Sequence, residues 1–328
     1  MSRTPGRRAM DYGILPTEQR NPRSMNLDRM STRDILRLIN AEDRRVPAAV
    51  AREIPKIARA VDAVVRAIQA GGRVIYVGAG TSGRIGLLDA LEWPPTFGVS
   101  PDLVKVVVAG GAQAAIGSSA PAEDDAERGR AEVAALAVGP RDVAFGIAAS
   151  GVTPFVLGAV EEARRRGAAV VGFSNVPRSP LAAIADIAIT PAVGPEVLSG
   201  STRMKAGTSQ KLVLNMISTT AMVRLGKVYT NLMVDMSPSN QKLAARARRM
   251  VAQATGLSPE ESARLLDWAG GSAKVAIVMA LRDVHRAEAE ARLARSGGHV
   301  RTAIGNLTTQ RRLGSHAQRG RGRRAGRR

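Results

Sequence analysis

The chain has 328 residues, 45% of them hydrophobic, a formal net charge of +20 and no cysteine. That length buries a large core in one main domain plus a smaller one, and the missing thiols exclude both a disulfide framework and a thiolate zinc site. No apolar run approaches the roughly 20 residues of a membrane span, and the opening MSRTPGRRAM lacks the apolar centre of a signal peptide, so a cytoplasmic protein without membrane contact is expected.

Much of the charge sits at the ends of the chain. Eight arginines among the last eighteen residues and three among the first ten carry more than half of it. Runs such as Arg319-Gly320-Arg321-Gly322-Arg323 are disordered by composition, and basic tails are expected at 1–14 and 305–328. They suit non-specific contact with anions. With no aromatic interleaved for base stacking, no specific nucleic-acid partner is expected.

Between the tails the hydrophobic period alternates. Ser31-Thr32-Arg33-Asp34 has the form of a capping box ahead of Ile35, Leu36, Leu38 and Ile39. Val50, Ile54, Ile57, Val61, Val64, Val65 and Ile68 recur at three and four and predict one long amphipathic helix, stopped at Gly71-Gly72. Strands are predicted at 73–78, 104–109, 142–149, 169–174 and 186–190, with Ala- and Arg-rich stretches of helical length between them. This βαβ series implies a doubly wound parallel α/β sheet covered on both faces. After Pro191 a polar, Gly-rich loop leads into a helix over about 203–225, and beyond Asn240 short helical patterns broken at Gly256, Gly270-Gly271 and Gly297-Gly298 predict a small all-helical module. The expected divisions are an α/β domain with N-terminal helices over 15–235 and the helical module over 236–304.

The most informative stretch is Arg73 to Arg84, RVIYVGAGTSGR, where a buried strand runs into Gly78, Gly80 and Gly83 with Thr81 and Ser82 between them. Glycines let backbone N–H groups approach a ligand, and two hydroxyls beside a helix start add donors, so a phosphate is the natural occupant. The same letters fit the dinucleotide fingerprint, but the second strand ends in Gly110-Gly111 without the acid that would bind a ribose. That argues against NAD and for a smaller phosphorylated ligand. A tight strand-to-helix turn with no ligand is the plainer alternative.

Ligands of such sheets bind beyond the carboxyl ends of the strands. Polar groups recur there: Ser150 and Thr153 ahead of Pro154, Ser174, and the loop Gly194–Arg203 with Glu196, Ser199, Ser201 and Thr202. Their recurrence suits one polyhydroxylated, phosphorylated ligand, although any one of them also suits an ordinary helix cap. All three histidines, His285, His299 and His316, lie beyond the α/β domain, so proton transfer there falls to carboxylates. Glu92, next to Trp93-Pro94-Pro95, has an apolar setting that would raise a carboxyl pKa. Glu123 opens the segment after the second strand, and with neighbouring strands both acids would face one pocket. The local alternatives are a surface acid for Glu92 and a helix-dipole partner for Glu123.

Thr17-Glu18-Gln19-Arg20-Asn21-Pro22, Gly78-Ala79-Gly80-Thr81-Ser82-Gly83-Arg84, Pro94-Pro95-Thr96-Phe97-Gly98, Ala148-Ala149-Ser150-Gly151 and GPEVLSGSTRMKAGTSQKLVLN from Gly194 to Asn215 resemble the N-acetylmuramic acid 6-phosphate etherases, from about Leu15 to Ile304. The glycine loop alone would indicate only the wider sugar isomerase domain superfamily. The resemblance implies a cofactor-free, metal-free lyase that removes D-lactate from N-acetylmuramic acid 6-phosphate, in cell-wall sugar recycling, and leaves N-acetylglucosamine 6-phosphate. It implies Glu92 as proton donor and Glu123 as the second essential acid, with Gly80, Thr81, Ser82, Gly83, Ser150, Gly151, Thr153, Glu196, Ser199, Ser201 and Lys205 around the substrate. Which acid takes the C2 proton stays open.

Three positions depart from the family pattern: Trp93 replaces a usual cysteine, Val152 an arginine, and Ala120-Pro121 a Glu-Gly pair. A tryptophan beside the donor is expected to reshape the pocket or to need a compensating gap. Glucokinase regulatory proteins share the Gly194–Asn215 block, so a non-catalytic sugar-phosphate sensor competes with the lyase, as does a sugar-phosphate isomerase. A homodimer is expected because the Val50–Ile68 stripe and the 203–225 helix offer more apolar surface than one five-stranded sheet needs, and because the resemblance implies one.

Overall fold

The computed structural model describes residues 12–117, 120–236 and 241–305, so the expected basic tails, apart from 12–14 and 305, lie outside the described residues. The chain divides into two compact units, Met1–Arg224 and Leu225–Arg328.

In the first unit, Ser31 caps α1 (Thr32–Asp43), its hydroxyl accepting from the Asp34 N–H at 3.3 Å. The single helix predicted through Val50–Ile68 is two, α2 (Arg45–Ala51) and α3 (Ile54–Gln69). The reason is Pro55, which lacks the N–H needed to carry a helix on from α2 but fits the first turn of a new one. Five strands follow: β1 (Val74–Gly78), β2 (Val104–Val108), β3 (Val143–Ile147), β4 (Ala169–Phe173) and β5 (Ile187–Ile189). Each lies inside one of the predicted segments. They form one parallel sheet of order β2-β1-β3-β4-β5, with Val74 opposite both Val104 and Val143. Every residue of β1 and β3 is buried, which is why their sequences run apolar instead of alternating.

The helices alternate with the strands as α4 (Gly80–Phe97), α5 (Gly111–Ile116), α6 (Ala120–Glu123), α7 (Ala126–Ala135), α8 (Pro154–Arg165), α9 (Pro180–Ile184) and α10 (Lys205–Arg224). On one face Ile75, Val77 and Ala144 bury against Phe155, Val156 and Val160 of α8. On the other, Tyr76 and Phe145 meet edge to face at 5.4 Å beneath α4. The stripe of α3 packs on α10 and on the sheet, so the apolar surplus expected to drive a dimer is consumed within the chain.

One polar group is sealed into that second layer. Asp89 of α4 is buried and accepts from Tyr76 Oη at 3.0 Å, Trp93 Nε1 at 2.9 Å and Ser218 Oγ at 3.1 Å, joining α4 to β1 and α10. Burial, and then the adjacent Asp89, raises the Tyr76 hydroxyl well above its ordinary pKa, so it stays a donor. Trp93 is turned inward and 1% exposed. Of the two expectations, a reshaped ligand pocket is corrected: its ring fills space in the layer between helices.

The second unit packs α11 (Gln241–Thr255), α12 (Pro259–Trp268), α13 (Ala273–Arg282), α14 (Arg286–Arg295) and α15 (Val300–Ile304) around Met250, Val251, Leu266, Ile277, Leu293 and Ile304. Val234 and Met236 are buried in this core, and Asp235 pairs with Lys227 and Lys274, which is why the unit begins at Leu225, ahead of the expected division at 236. Among the described residues no helix is long and apolar enough to cross a membrane.

Trp93→Phe keeps most of the packing and removes one buried donor to Asp89. It is expected to lower unfolding stability by about 1–2 kcal/mol, read by urea denaturation. An unchanged midpoint would show that the indole N–H carries nothing.

Candidate functional site

The chain leaves β1 toward β2 on one side and returns to β3 on the other, so strand order reverses between β1 and β3. A crevice opens at such a reversal. Here it is a cavity of about 380 Å³, lined by Gly80, Thr81, Ser82 and Arg84 after β1, by Ala148, Ala149, Ser150 and Thr153 after β3, and by Glu123, Thr202 and Glu18.

The loop after β1 is drawn close to its own helix. A Cβ on Gly78 would stand 2.7 Å from Gly83 N, and one on Gly83 would stand 2.9 Å from Val108 Cγ1. Gly83 thus packs strand against helix and does not line the cavity, whereas Gly80, Thr81 and Ser82 present the first turn of α4 to it. Free N–H groups and the positive helix end suit that turn to an anion. Gln210 of α10, itself buried, donates to Ser82 Oγ at 2.8 Å, which leaves the Ser82 proton for a ligand. Arg84 adds positive charge and is held by its bonds to the carbonyls of Ala114 and Gly117. Gly151 has φ +70° and leaves no room for a Cβ beside Ser179; it turns the backbone between Ser150 and Thr153 without lining the cavity.

Glu123 closes α6 and reaches the loop: a Cβ on Gly80 would lie 3.1 Å from its Oε1. Asp125, and not Glu123, caps α7, accepting from Arg128 N at 2.8 Å. Pro121 falls in the first turn of α6, a position that tolerates proline.

Glu92 is elsewhere. It lies twelve residues along α4 from Gly80, about 18 Å at the helical rise, and its side chain is exposed. Trp93 points inward while Glu92 points out, so the indole expected beside its carboxyl faces away from it. The expectation that both acids face one pocket is corrected for a single chain.

Four further candidates belong to a structural network. Lys205 is fully buried; its Nζ donates to Glu42 Oε2 at 2.6 Å and to the carbonyls of Pro195 at 2.7 Å and Val193 at 3.0 Å. Glu196, also buried, accepts from the N–H groups of Lys205 at 3.0 Å and Ala206 at 2.9 Å, capping α10. Burial pushes its carboxyl pKa up. Ser199 Oγ donates to the carbonyls of Glu18 at 3.1 Å and Gln19 at 3.3 Å, and Ser201 turns back to Leu198 O at 3.0 Å. None of the four lines the cavity. They hold the 194–205 loop against the N-terminal segment.

The place of that segment at the cavity is what the sequence reading missed. Leu15, Thr17 and Asn21 are buried, Asn21 bonding to Glu42 at 3.0 Å and Pro195 O at 3.2 Å, while Glu18 between them faces the cavity. Val152 packs with Leu15 and Val176, so at this position an apolar contact anchors the segment. The signal for Glu18 is its place in the Thr17–Pro22 motif that carries the family resemblance, which gives the residue no role of its own.

A parallel sheet of this order with a hydroxyl-rich anion loop at the reversal point defines an SIS-domain protein, the sugar isomerase class. Models described as the glucokinase regulatory protein N-terminal SIS domain and the SIS domain match residues 56–164 and 125–219. The chain belongs to the N-acetylmuramic acid 6-phosphate etherase family: it is 57% identical over 293 residues to the etherase of Rubrobacter xylanophilus, covering 89% of this chain and 97% of that one. It is also 56% identical to the etherase of Symbiobacterium thermophilum, over 84% of this chain and 91% of that one, and 53% identical to that of Cutibacterium acnes, over 89% and 96%.

The network has a pH signature. Burial alone would raise the Glu42 carboxyl, but Lys205, with Asn21 and Arg23, holds it down at about 2 against an ordinary 4.5. Its contribution is therefore complete above about 4.5 and lost as pH falls toward 2. Glu196, raised by burial, acts in the opposite sense, losing stability as pH rises through its own range. Glu42→Gln should flatten the acid limb of a stability–pH curve relative to the parent. Lys205→Met should cost about 3 kcal/mol, the low end for a broken buried pair because Arg23 and Arg45 still face Glu42.

Proposed function

We propose that the chain cleaves the D-lactyl ether of N-acetylmuramic acid 6-phosphate, giving N-acetylglucosamine 6-phosphate and D-lactate. The observation that carries the reading is a carboxylate, Glu123, set against an anion-binding helix start in one cavity. The 6-phosphate is held at Gly80, Thr81 and Ser82, with Ser150 and Thr153 opposite. Once the pyranose opens, the C1 aldehyde acidifies the C2 proton. Glu123 removes it, the C3–O bond breaks, an acid protonates the departing lactyl oxygen, and water adds at C3 of the unsaturated aldehyde. No step requires a metal or a nicotinamide. A phosphorylated sugar does not cross a bilayer unaided, so the reaction is assigned to the cytoplasm.

The acid is Glu92, supplied by a second copy of the chain. Glu92, Leu88 and Leu91 share one face of α4, where Leu88 is 46% and Leu91 64% exposed. An apolar patch around a charged side chain is the expected character of a surface that docks another subunit. In a two-fold dimer each α4 meets its partner's surface, and each cavity is completed by the other chain's glutamate.

Incubation with N-acetylmuramic acid 6-phosphate is expected to release lactate; binding without release would leave a sensor. Ser82→Ala should mainly raise KM, because the phosphate is held alike in ground and transition states. Glu123→Gln and Glu92→Gln should each lower kcat by about 10²–10⁴-fold with sugar-phosphate binding retained. In deuterated solvent Glu123→Gln should also lose exchange of the C2 proton.

A further inference from the structure

The elimination acts on an open-chain aldehyde, but a hexosamine phosphate in water is almost wholly cyclic. Before any C2 proton leaves, O1 must lose a proton and O5 must gain one. Glu123 and Glu92 are committed to C2 and to the lactyl oxygen, and the α/β unit contains no histidine. A third acid–base group is therefore called for in the cavity.

Glu18 meets the description. Glu18 is an exposed residue of the cavity wall, and its carboxylate makes no hydrogen bond or ion pair among the described residues. It enters from a different wall than Glu123: a Cβ on Gly200 would stand 3.2 Å from Glu18 Oε2, whereas Glu123 lies against Gly80. The backbone that carries it is fixed on both sides by buried Leu15, Thr17 and Asn21, and both its own carbonyl and that of Gln19 are clamped by Ser199. A carboxylate that served only to tie this segment down would bond to protein. Here the neighbours of Glu18 tie the segment down, and Glu18 itself stays exposed at the cavity wall.

We infer that Glu18 opens the sugar ring, an assignment that rests on the etherase reading above. One carboxylate oxygen takes the proton from the O1 hydroxyl as the C1–O1 bond becomes a carbonyl. The C1–O5 bond breaks, and O5 receives a proton from the carboxyl group so formed. Glu18 ends in its starting state, and no other reactant is consumed. Closure of the product ring runs the same steps in reverse.

The product gives a direct test, because N-acetylglucosamine 6-phosphate can open and close but has no lactate to lose. Interconversion of its α and β anomers is followed by NMR exchange spectroscopy with intact protein. The wild type is expected to accelerate interconversion, Glu18→Gln to lose at least about tenfold of that acceleration while still binding the sugar phosphate, and Glu18→Asp to recover part of it. The inference is overturned if the wild type does not accelerate interconversion, if Glu18→Gln accelerates it as well as the wild type, or if Glu18→Gln has lost binding, which would make the residue structural. Lactate release by the wild type is measured separately, so failure of the etherase reading and failure of this one give different results.

Discussion

An α-helix rises about 1.5 Å per residue, so the first turn of α4 and Glu92, twelve residues on, are held about 18 Å apart whatever else the fold does. The first turn, Gly80 to Ser82, is the proposed anion site; Glu92 lies well along the helix. The buried Asp89, bonded to Tyr76, Trp93 and Ser218, locks the helix in rotation and height against β1 and α10. A rigid element with two functional groups so far apart cannot bring both to one ligand. Two copies related by a two-fold axis can, and that is why the proposed chemistry depends on assembly.

The same logic of fixed elements explains the rest of the cavity. The close approach of Gly78 and Gly83 sets the loop, the reversal between β1 and β3 sets the opposite wall, and the Glu42–Lys205–Glu196 network pins the 194–205 loop to the N-terminal segment. A lysine and two glutamates taken wholly out of water hold position only when their bonds are satisfied. Four polar residues that read as ligand contacts in the sequence are therefore part of the frame or of its turns. Glu18 is set on that frame with its carboxylate unspent.

The sheet was legible because each buried strand is a short β-branched run between turn residues, and all five segments appear where those runs lie. The anion loop was legible for the same kind of reason: glycine spacing and hydroxyls next to a helix start are local properties. What local pattern could not supply was direction. Glu92 and Trp93 are adjacent in sequence but point to opposite sides of a helix, so an apolar neighbour in the chain was no guide to the acid's surroundings. Ser199, Ser201, Glu196 and Lys205 share a polar loop with Thr202, yet only Thr202 reaches the cavity. The break at Pro55 was readable from the proline, and the periodic apolar stripe running across it concealed it.

The central claim, that a site is completed by Glu92 of one chain and Glu123 of another, is tested most directly by mixing two inactive proteins. Glu92→Gln and Glu123→Gln dimers are combined, allowed to exchange subunits and assayed for lactate release. With random exchange half of the dimers are mixed, and each mixed dimer has one cavity with both glutamates, so activity should return to about a quarter of the wild-type level. If mixed dimers form, as seen by mass spectrometry, and activity stays at that of the two parents, both acids act within one chain and the account of α4 is wrong.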